Sequence, residues 1–266
     1  MPSSESVLQI EVTDRVATLT LNRPDRRNAL NAPLRRRLRE AIGETEANPD
    51  VDVVILTGAD PAFCAGLDLT EFSSPDSGLR DGPPPDGRDR GPLGAHTKPI
   101  IGAVNGVAVT GGLELALACD FIIASARARF ANTHTRVGVL PGWGLTVLLP
   151  EAVGLRRARE MSATGNYVDA QLALVWGLVN RVVPHDELLG TCRTLAAAVV
   201  SNDQPAVRTL LDTYGRTTST TAGEAWQIEA DVHRAWTKAN LDATTTSRLK
   251  AVIDRGRTQV ADHANP

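Results

Sequence analysis

The sequence predicts an α/β fold, because short runs of β-branched and aliphatic residues alternate with helical stretches along its first half. Val51–Thr57 is such a run, typical of a strand covered on both faces. Ile100–Val104 and Phe121–Ala124 are two more. A chain of 266 residues is long enough to bury a core around these strands without disulfides or metals.

The N-terminal elements are predicted by turn and cap residues. Val7–Val12 and Val16–Leu21 flank Thr13-Asp14-Arg15, which predicts a hairpin. Asn31-Ala32-Pro33 predicts the start of a helix that runs through Glu46. The apolar residues of this helix share one face: Leu34, Leu38, Ala41 and Ile42.

The segment Ser73–Gly94 interrupts the pattern. It is crowded with Pro, Gly, Asp and Arg and contains Pro83-Pro84-Pro85, so it cannot form a stable helix or a central strand. We predict a mobile surface loop, which is either a tolerated insertion or a lid over a site.

The character of the chain changes after Asn202. The sequence is helical from Pro205 onward, with a last helix near Arg248–Val260 and no strand-like run. Helices without a sheet of their own bury their apolar stripe on the core or on another subunit. The predicted stripe consists of Trp226, Ile228, Val232 and Trp236.

Composition and charge exclude several classes of protein. Hydrophobic residues make up 42% and charged residues 22%, which excludes a disordered or fibrous chain. The formal net charge of -3 offers no broad basic surface for nucleic acid, and 4% aromatic residues speak against base stacking. The longest apolar stretches fall well short of a membrane span.

The cysteines and the N-terminus indicate a cytoplasmic protein. Cys64, Cys119 and Cys192 lie far apart and outside any CxxC motif, which is typical of reduced thiols rather than of a disulfide framework or a zinc site. The first residues contain neither a basic nor an apolar run, so no signal peptide is expected.

Three segments carry most of the chemical information: Ala62–Leu69, Asn105–Asp120 and Phe130–Gly144. The first two place small residues where a strand passes into a helix, and backbone N–H groups are free there. Two such turns that face each other form a two-donor pocket for an oxygen that becomes negative during a reaction. A single glycine-rich turn is equally explained by tight packing.

Glu114 is the strongest single candidate for chemistry. The helix predicted from Gly111 to Cys119 is apolar nearly all round, so a carboxylate in its first turn requires a reason. A capping box that starts at Thr110 requires an acid at position 113, where Leu113 stands. Stabilisation by the helix dipole remains the structural alternative to a role as acid or base.

Together the three segments resemble the enoyl-CoA hydratase/isomerase family, also called the crotonase family. The resemblance covers nearly the whole chain, including Asn22–Leu30 and the tail helices. It implies a crotonase-like spiral of ββα turns in residues 1–200 and a C-terminal helical region, residues 201–266, that builds homotrimers, often paired into hexamers. It also implies an acyl-CoA thioester ligand, and no cofactor, because coenzyme A is part of the substrate.

The resemblance also implies the site residues, matched one by one. The thioester oxygen would accept hydrogen bonds from the N–H groups of Leu67 and Gly111, with Glu114 as acid and base. A basic side chain such as Arg27 would reach a phosphate of coenzyme A. The implied coenzyme A contacts are Arg26, Arg27, Ala29, Ala65, Asp68 and Leu69.

The chain departs from the family at one catalytic position. Typical hydratases hold a water molecule with two glutamates; the first matches Glu114, whereas the second falls on His134. An imidazole can still orient water or relay a proton, because it titrates near neutral pH. The alternative is that His134 only shapes the pocket or forms a structural hydrogen bond.

These residues predict an acyl-CoA lyase that hydrates 2-enoyl-CoA to 3-hydroxyacyl-CoA, as in fatty-acid β-oxidation. Two alternatives stay open: a double-bond isomerase, which needs only one carboxylate, and an acyl-CoA-binding module without turnover. The sequence has no Gly-x-Ser-x-Gly elbow and no His-x-x-x-His motif, so neither a serine hydrolase nor a metal site is predicted. No nucleic-acid or membrane partner is expected.

Overall fold

A computed structural model describes residues 6–72, 91–218, 220–240 and 252–259. The strands are β1 Leu8–Thr13, β2 Val16–Leu21, β3 Val53–Gly58, β4 Ala62–Cys64, β5 Ile100–Val104, β6 Val107–Val109, β7 Phe121–Ser125, β8 Arg129–Ala131, β9 Val168–Asp169 and β10 Arg181–Val183. The helices are α1 Ala32–Ala47, α2 Leu69–Phe72, α3 Gly111–Leu117, α4 His134–Val137, α5 Leu145–Val153, α6 Leu155–Thr164, α7 Ala170–Trp176, α8 Leu188–Val200, α9 Gln204–Thr218 and α10 Ala222–Asn240.

Two sheets form the core of the chain. The larger has six strands in the order β1-β2-β3-β5-β7-β10, and the smaller has four in the order β4-β6-β8-β9. Strands β3, β5 and β7 pair in parallel, and so do β4, β6 and β8. Each turn of the chain therefore adds one strand to each sheet, which confirms the predicted spiral.

Local sequence accounts for the elements that were predicted. Every residue of β3 is buried, as expected for a strand between two apolar layers. Asn31 caps α1, because its side chain accepts a hydrogen bond from the Leu34 N–H at 3.0 Å. The β1–β2 hairpin and the parallel strands β5 and β7 are confirmed as well.

The predicted loop Ser73–Gly94 lies outside the described residues up to position 90. Its last part corrects the prediction. Gly91–Leu93 forms a short 3₁₀ turn in which all three residues are buried, so this part of the segment is not a surface loop. Leu93 belongs to the main hydrophobic core, which accounts for the burial of this turn.

The chain divides into two compact units, Met1–Arg208 and Thr209–Pro266, and the boundary falls within α9. The described part of the second unit is helical, including residues 252–259. Trp226 is 73% exposed, so it does not share the half-buried positions of Ile228, Val232 and Trp236 on α10. Among the described helices, none has the length and apolarity needed to cross a membrane.

Candidate active site

The three segments that the sequence singled out meet at one edge of the smaller sheet. Each contains all or part of one of the parallel strands β4, β6 and β8, which are hydrogen-bonded neighbours. Because neighbouring parallel strands end at the same edge of a sheet, the loops that follow them lie side by side.

Leu67 lies in the loop after β4 and pairs with the segment around Leu30. The Leu30 N–H donates to the Gly66 carbonyl at 2.7 Å, and the Asp68 N–H donates to the Leu30 carbonyl at 3.2 Å. These bonds form a parallel bridge between Leu30 and Leu67, in which the Leu67 N–H points away from Leu30. No hydrogen bond from this N–H occurs within the described ranges.

Gly111 begins α3 and supplies a second amide of this kind. Its N–H has no acceptor in the part of the chain that the structure describes. A Cβ atom on Gly111 would lie 3.6 Å from the Leu67 nitrogen and 3.0 Å from Cζ3 of Trp143. The two amides are therefore neighbours, and a side chain at position 111 would crowd the Trp143 ring.

Glu114 lies beside these amides and is buried, with 2% of the residue exposed. The Trp143 N–H donates to Glu114 Oε1 at 2.8 Å. Glu114 Oε2 lies 3.5 Å from His134 Nε2, and His134 is 4% exposed. The structure therefore brings together the two side chains that the sequence predicted as a catalytic pair.

Asn132 fixes which ring nitrogen of His134 carries a proton. Asn132 Oδ1 accepts from the His134 backbone N–H at 3.3 Å and lies 2.6 Å from His134 Nδ1. A backbone N–H can only donate, so this Asn132 atom is an acceptor and Nδ1 is the donor. The Asn132 amide group in turn donates to Ser162 Oγ at 2.9 Å.

The second ring nitrogen of His134 faces Glu114. With Nδ1 protonated, a neutral imidazole would turn its Nε2 lone pair toward the Glu114 carboxylate. Two acceptors at 3.5 Å in a buried site repel each other. A hydrogen-bond donor between the two atoms, such as a water molecule, would satisfy both acceptors.

Four of the predicted coenzyme A contacts lie along the paired loops. Arg26 and Arg27 are exposed, whereas Ala29 and Ala65 are half-buried. The Ala65 N–H donates to the Arg27 carbonyl at 3.0 Å, which ties the two loops together. Their contact with coenzyme A stays a prediction.

Asp68 has a structural role in this chain, whatever else it contacts. Its carboxylate accepts from the Thr70 hydroxyl at 2.7 Å and pairs with the Arg23 guanidinium at 3.0 Å. The Thr70 hydroxyl, followed by Arg23, lowers the pKa of Asp68. Leu69, the other predicted contact in this segment, is the first residue of α2.

Sequence reasoning assigned no role to three residues that shape the site. Asn132 and Trp143 lie in the third segment. Asn132 precedes His134 by two residues, which is the spacing of an Asx turn, whereas no spacing rule links Trp143 to Glu114. Asn28 is fully buried with φ +55°, and its amide group donates to the carbonyls of Ala59 and Ala62. The sequence signal for Asn28 was its residue type, because asparagine tolerates the left-handed backbone conformation that a tight turn requires.

The cysteines are not placed for nucleophilic chemistry. All three are buried free thiols, and burial raises the pKa of Cys64, the one nearest Leu67 in sequence, to about 12. Within the described ranges, no group of three or more His, Cys, Asp or Glu side chains is placed to hold a metal ion.

Comparison with known proteins decides the family. The sequence profile of the enoyl-CoA hydratase/isomerase family matches residues 11–248. The chain belongs to this family.

Other members of the enoyl-CoA hydratase/isomerase family are similar over most of the chain. The short-chain-enoyl-CoA hydratase of Clostridium acetobutylicum is 38% identical over 208 residues, which are 75% of this chain and 77% of that protein. The crotonyl-CoA hydratase of Syntrophomonas wolfei is 36% identical over 231 residues, which are 84% and 86% of the two chains.

Solved structures confirm the crotonase fold. An enoyl-CoA hydratase from Mycobacterium tuberculosis is 52% identical, with a TM-score of 0.72 over 88% of this chain and 99% of that one. An enoyl-CoA hydratase subunit from Geobacillus kaustophilus is 30% identical, with a TM-score of 0.83 over 93% and 95%.

Proposed function

We propose that this chain adds water across the double bond of a 2-enoyl-CoA thioester and forms the 3-hydroxyacyl-CoA. The observation that carries the proposal is the buried Glu114–His134 pair, with 3.5 Å between Oε2 and Nε2, beside two amides that have no acceptor among the described residues. The names of the similar proteins support the same reaction.

The two amides polarise the thioester carbonyl and stabilise the charge that develops on its oxygen. The thioester oxygen accepts hydrogen bonds from Leu67 and Gly111, and it gains negative charge when water attacks the β-carbon. Each positioned donor in such a pocket typically lowers the barrier by roughly 3–4 kcal/mol. The glycine at 111 leaves room for this oxygen, because a Cβ atom there would contact both the Leu67 nitrogen and the indole of Trp143.

Glu114 and His134 carry out the proton transfers of the reaction. Glu114 Oε2 and His134 Nε2 lie 3.5 Å apart, so one water molecule can form hydrogen bonds with both atoms. Its oxygen bonds to the β-carbon, one of its protons passes to the pair, and the pair delivers one proton to the α-carbon. The sum is one water added and the pair returned to its starting state. Glu114 is the main acid and base, and His134 is its partner.

A histidine at the second position is compatible with this chemistry because Asn132 holds its ring. A fixed Nδ1–H leaves Nε2 as the atom that exchanges a proton with water or with Glu114. The presence of a second proton-exchanging group favours hydration over isomerisation, since a shift of the double bond requires only one carboxylate.

The test is turnover in water labelled with ¹⁸O. Purified protein and crotonyl-CoA should lose the absorbance of the conjugated thioester and form 3-hydroxyacyl-CoA that carries one labelled oxygen. A 3-enoyl product without label would establish the isomerase, and tight acyl-CoA binding without any product would establish the binding module.

We also propose a cytoplasmic homotrimer or a dimer of trimers. Several apolar side chains on and between the helices α4–α7 are exposed, including Leu140 at 85%, Val175 at 72% and Val147 at 59%. Exposed apolar surface of this kind is typical of subunit contacts. Light scattering should give three or six times the chain mass of 28.3 kDa, and a monomer would contradict the assembly.

A further inference from the structure

Thr110, the residue before Gly111, has a backbone conformation that is rare for its residue type. Its φ is 49° and its ψ is -117°. Among the described residues other than glycine, positive φ also occurs at Asp14, Arg15, Arg27 and Asn28, none of which is β-branched. A β-branched residue at positive φ is a genuine outlier, and such outliers persist only where their surroundings hold them.

Three hydrogen bonds hold Thr110 in place. Its N–H donates to the Ala131 carbonyl at 3.0 Å, and its carbonyl accepts from the Glu114 N–H at 3.0 Å. Its hydroxyl donates to the Val109 carbonyl at 2.8 Å. The peptide that follows Thr110 is thereby fixed, and the Gly111 N–H has no acceptor among the described residues.

The Thr110 side chain also contacts the loop that carries Leu67. A Cβ atom on Gly66 would collide with Thr110 Oγ1 and lie 2.7 Å from the Val109 carbonyl. The hydroxyl therefore packs directly on the Gly66 backbone, one residue before Leu67. Thr110 is covalently joined to one amide donor and packs against the residue that precedes the other.

We propose that Thr110 is a positioning residue that sets the separation between the Leu67 and Gly111 amides. This inference rests on the proposed function, in which both amides bind the thioester oxygen. The unfavourable backbone conformation is retained because it places a hydroxyl on Gly66 and leaves the Gly111 N–H free at the same time. A glycine at 110 would adopt the same backbone without strain but would leave the two loops without this spacer.

The experiment compares Thr110→Ser, Thr110→Ala and Thr110→Gly with the unchanged protein. Serine keeps the hydroxyl and alanine removes it, so we expect serine to retain kcat within about threefold and alanine to lose about tenfold or more, with little change in KM. Glycine should lose as much, with a Tm no lower than that of the unchanged chain. Asp14→Gly, in the exposed hairpin turn, is the control that relieves a positive φ without loss of activity.

A spectroscopic measurement tests the positioning role of Thr110 separately from the proposed hydratase function. A conjugated dienoyl-CoA absorbs at longer wavelength when its thioester oxygen is polarised by hydrogen bonds, so the alanine and glycine variants should show a smaller red shift. Equal kcat and equal red shift in the serine and alanine variants would overturn the positioning role of Thr110. The proposed hydratase function would not be affected by that result. An unchanged protein that shows neither turnover nor red shift would overturn the proposed function and this inference with it.

Discussion

Replacement of Glu114 by glutamine tests the central assignment with the least structural change. The amide oxygen of glutamine can still accept the Trp143 N–H that now donates to Oε1 at 2.8 Å. The side-chain volume is conserved at a position where only 2% of the residue is exposed. The variant therefore keeps the pocket and loses only the ability to exchange a proton.

The expected loss follows from the role of a positioned acid or base. Such a group contributes about 10²–10⁴-fold to the rate, which corresponds to roughly 3–5 kcal/mol in the barrier. We expect Glu114→Gln to lower kcat by this factor for crotonyl-CoA, measured by the loss of thioester absorbance. KM should change by less than about threefold, because no contact with the substrate is removed.

A second Glu-to-Gln substitution, outside the candidate active site, shows whether the removal of any carboxylate lowers kcat. Glu44 pairs with Arg37 on the surface of α1, with 59% of its side chain exposed. Glu44→Gln should leave kcat unchanged. The reasoning is refuted if Glu114→Gln retains more than about a tenth of the activity in a folded protein.

Three further predictions concern the same site and its support. His134→Gln keeps a polar side chain that cannot act as an acid or a base, so kcat should fall by about tenfold or more; full activity would show that His134 only shapes the pocket. Gly111→Ala places a Cβ atom 3.0 Å from the Trp143 ring, so kcat should fall by about 10²-fold while circular dichroism stays unchanged. Asp68→Asn should lower the free energy of unfolding at pH 7 by about 1–3 kcal/mol. Because contacts such as the Thr70 hydroxyl lower the pKa of Asp68, this difference should be present above about pH 4 and disappear as the pH falls through the lowered folded-state pKa.

The elements that the sequence predicted correctly carry their signal locally. The continuous apolar run of β3 and the Asn31 cap of α1 are decided by residues that are neighbours in the chain. The three-residue strands β4, β6 and β8 were not predicted as strands. Strands this short depend on hydrogen bonds to partners distant in sequence, so no local pattern identifies them.

Sequence alone determined that position 114 holds a carboxylate in a buried apolar helix and that two glycine-rich turns flank it. The family resemblance matched His134 to the position of a second glutamate, and this match stays a prediction. The expectation for Glu114 follows from burial, because an ionisable group among apolar neighbours requires a partner or a task.

Only the tertiary structure decided how these groups meet. The pairing of β4, β6 and β8 brings Leu67, Gly111 and His134 to one edge of a sheet. The Trp143 N–H on Glu114 and the Asn132 amide on Ser162, which orients Asn132 toward His134, are contacts between separate segments. Hydrogen-bond partners of this kind depend on distances within a few tenths of an ångström, and the order of residues along the chain does not encode those distances directly.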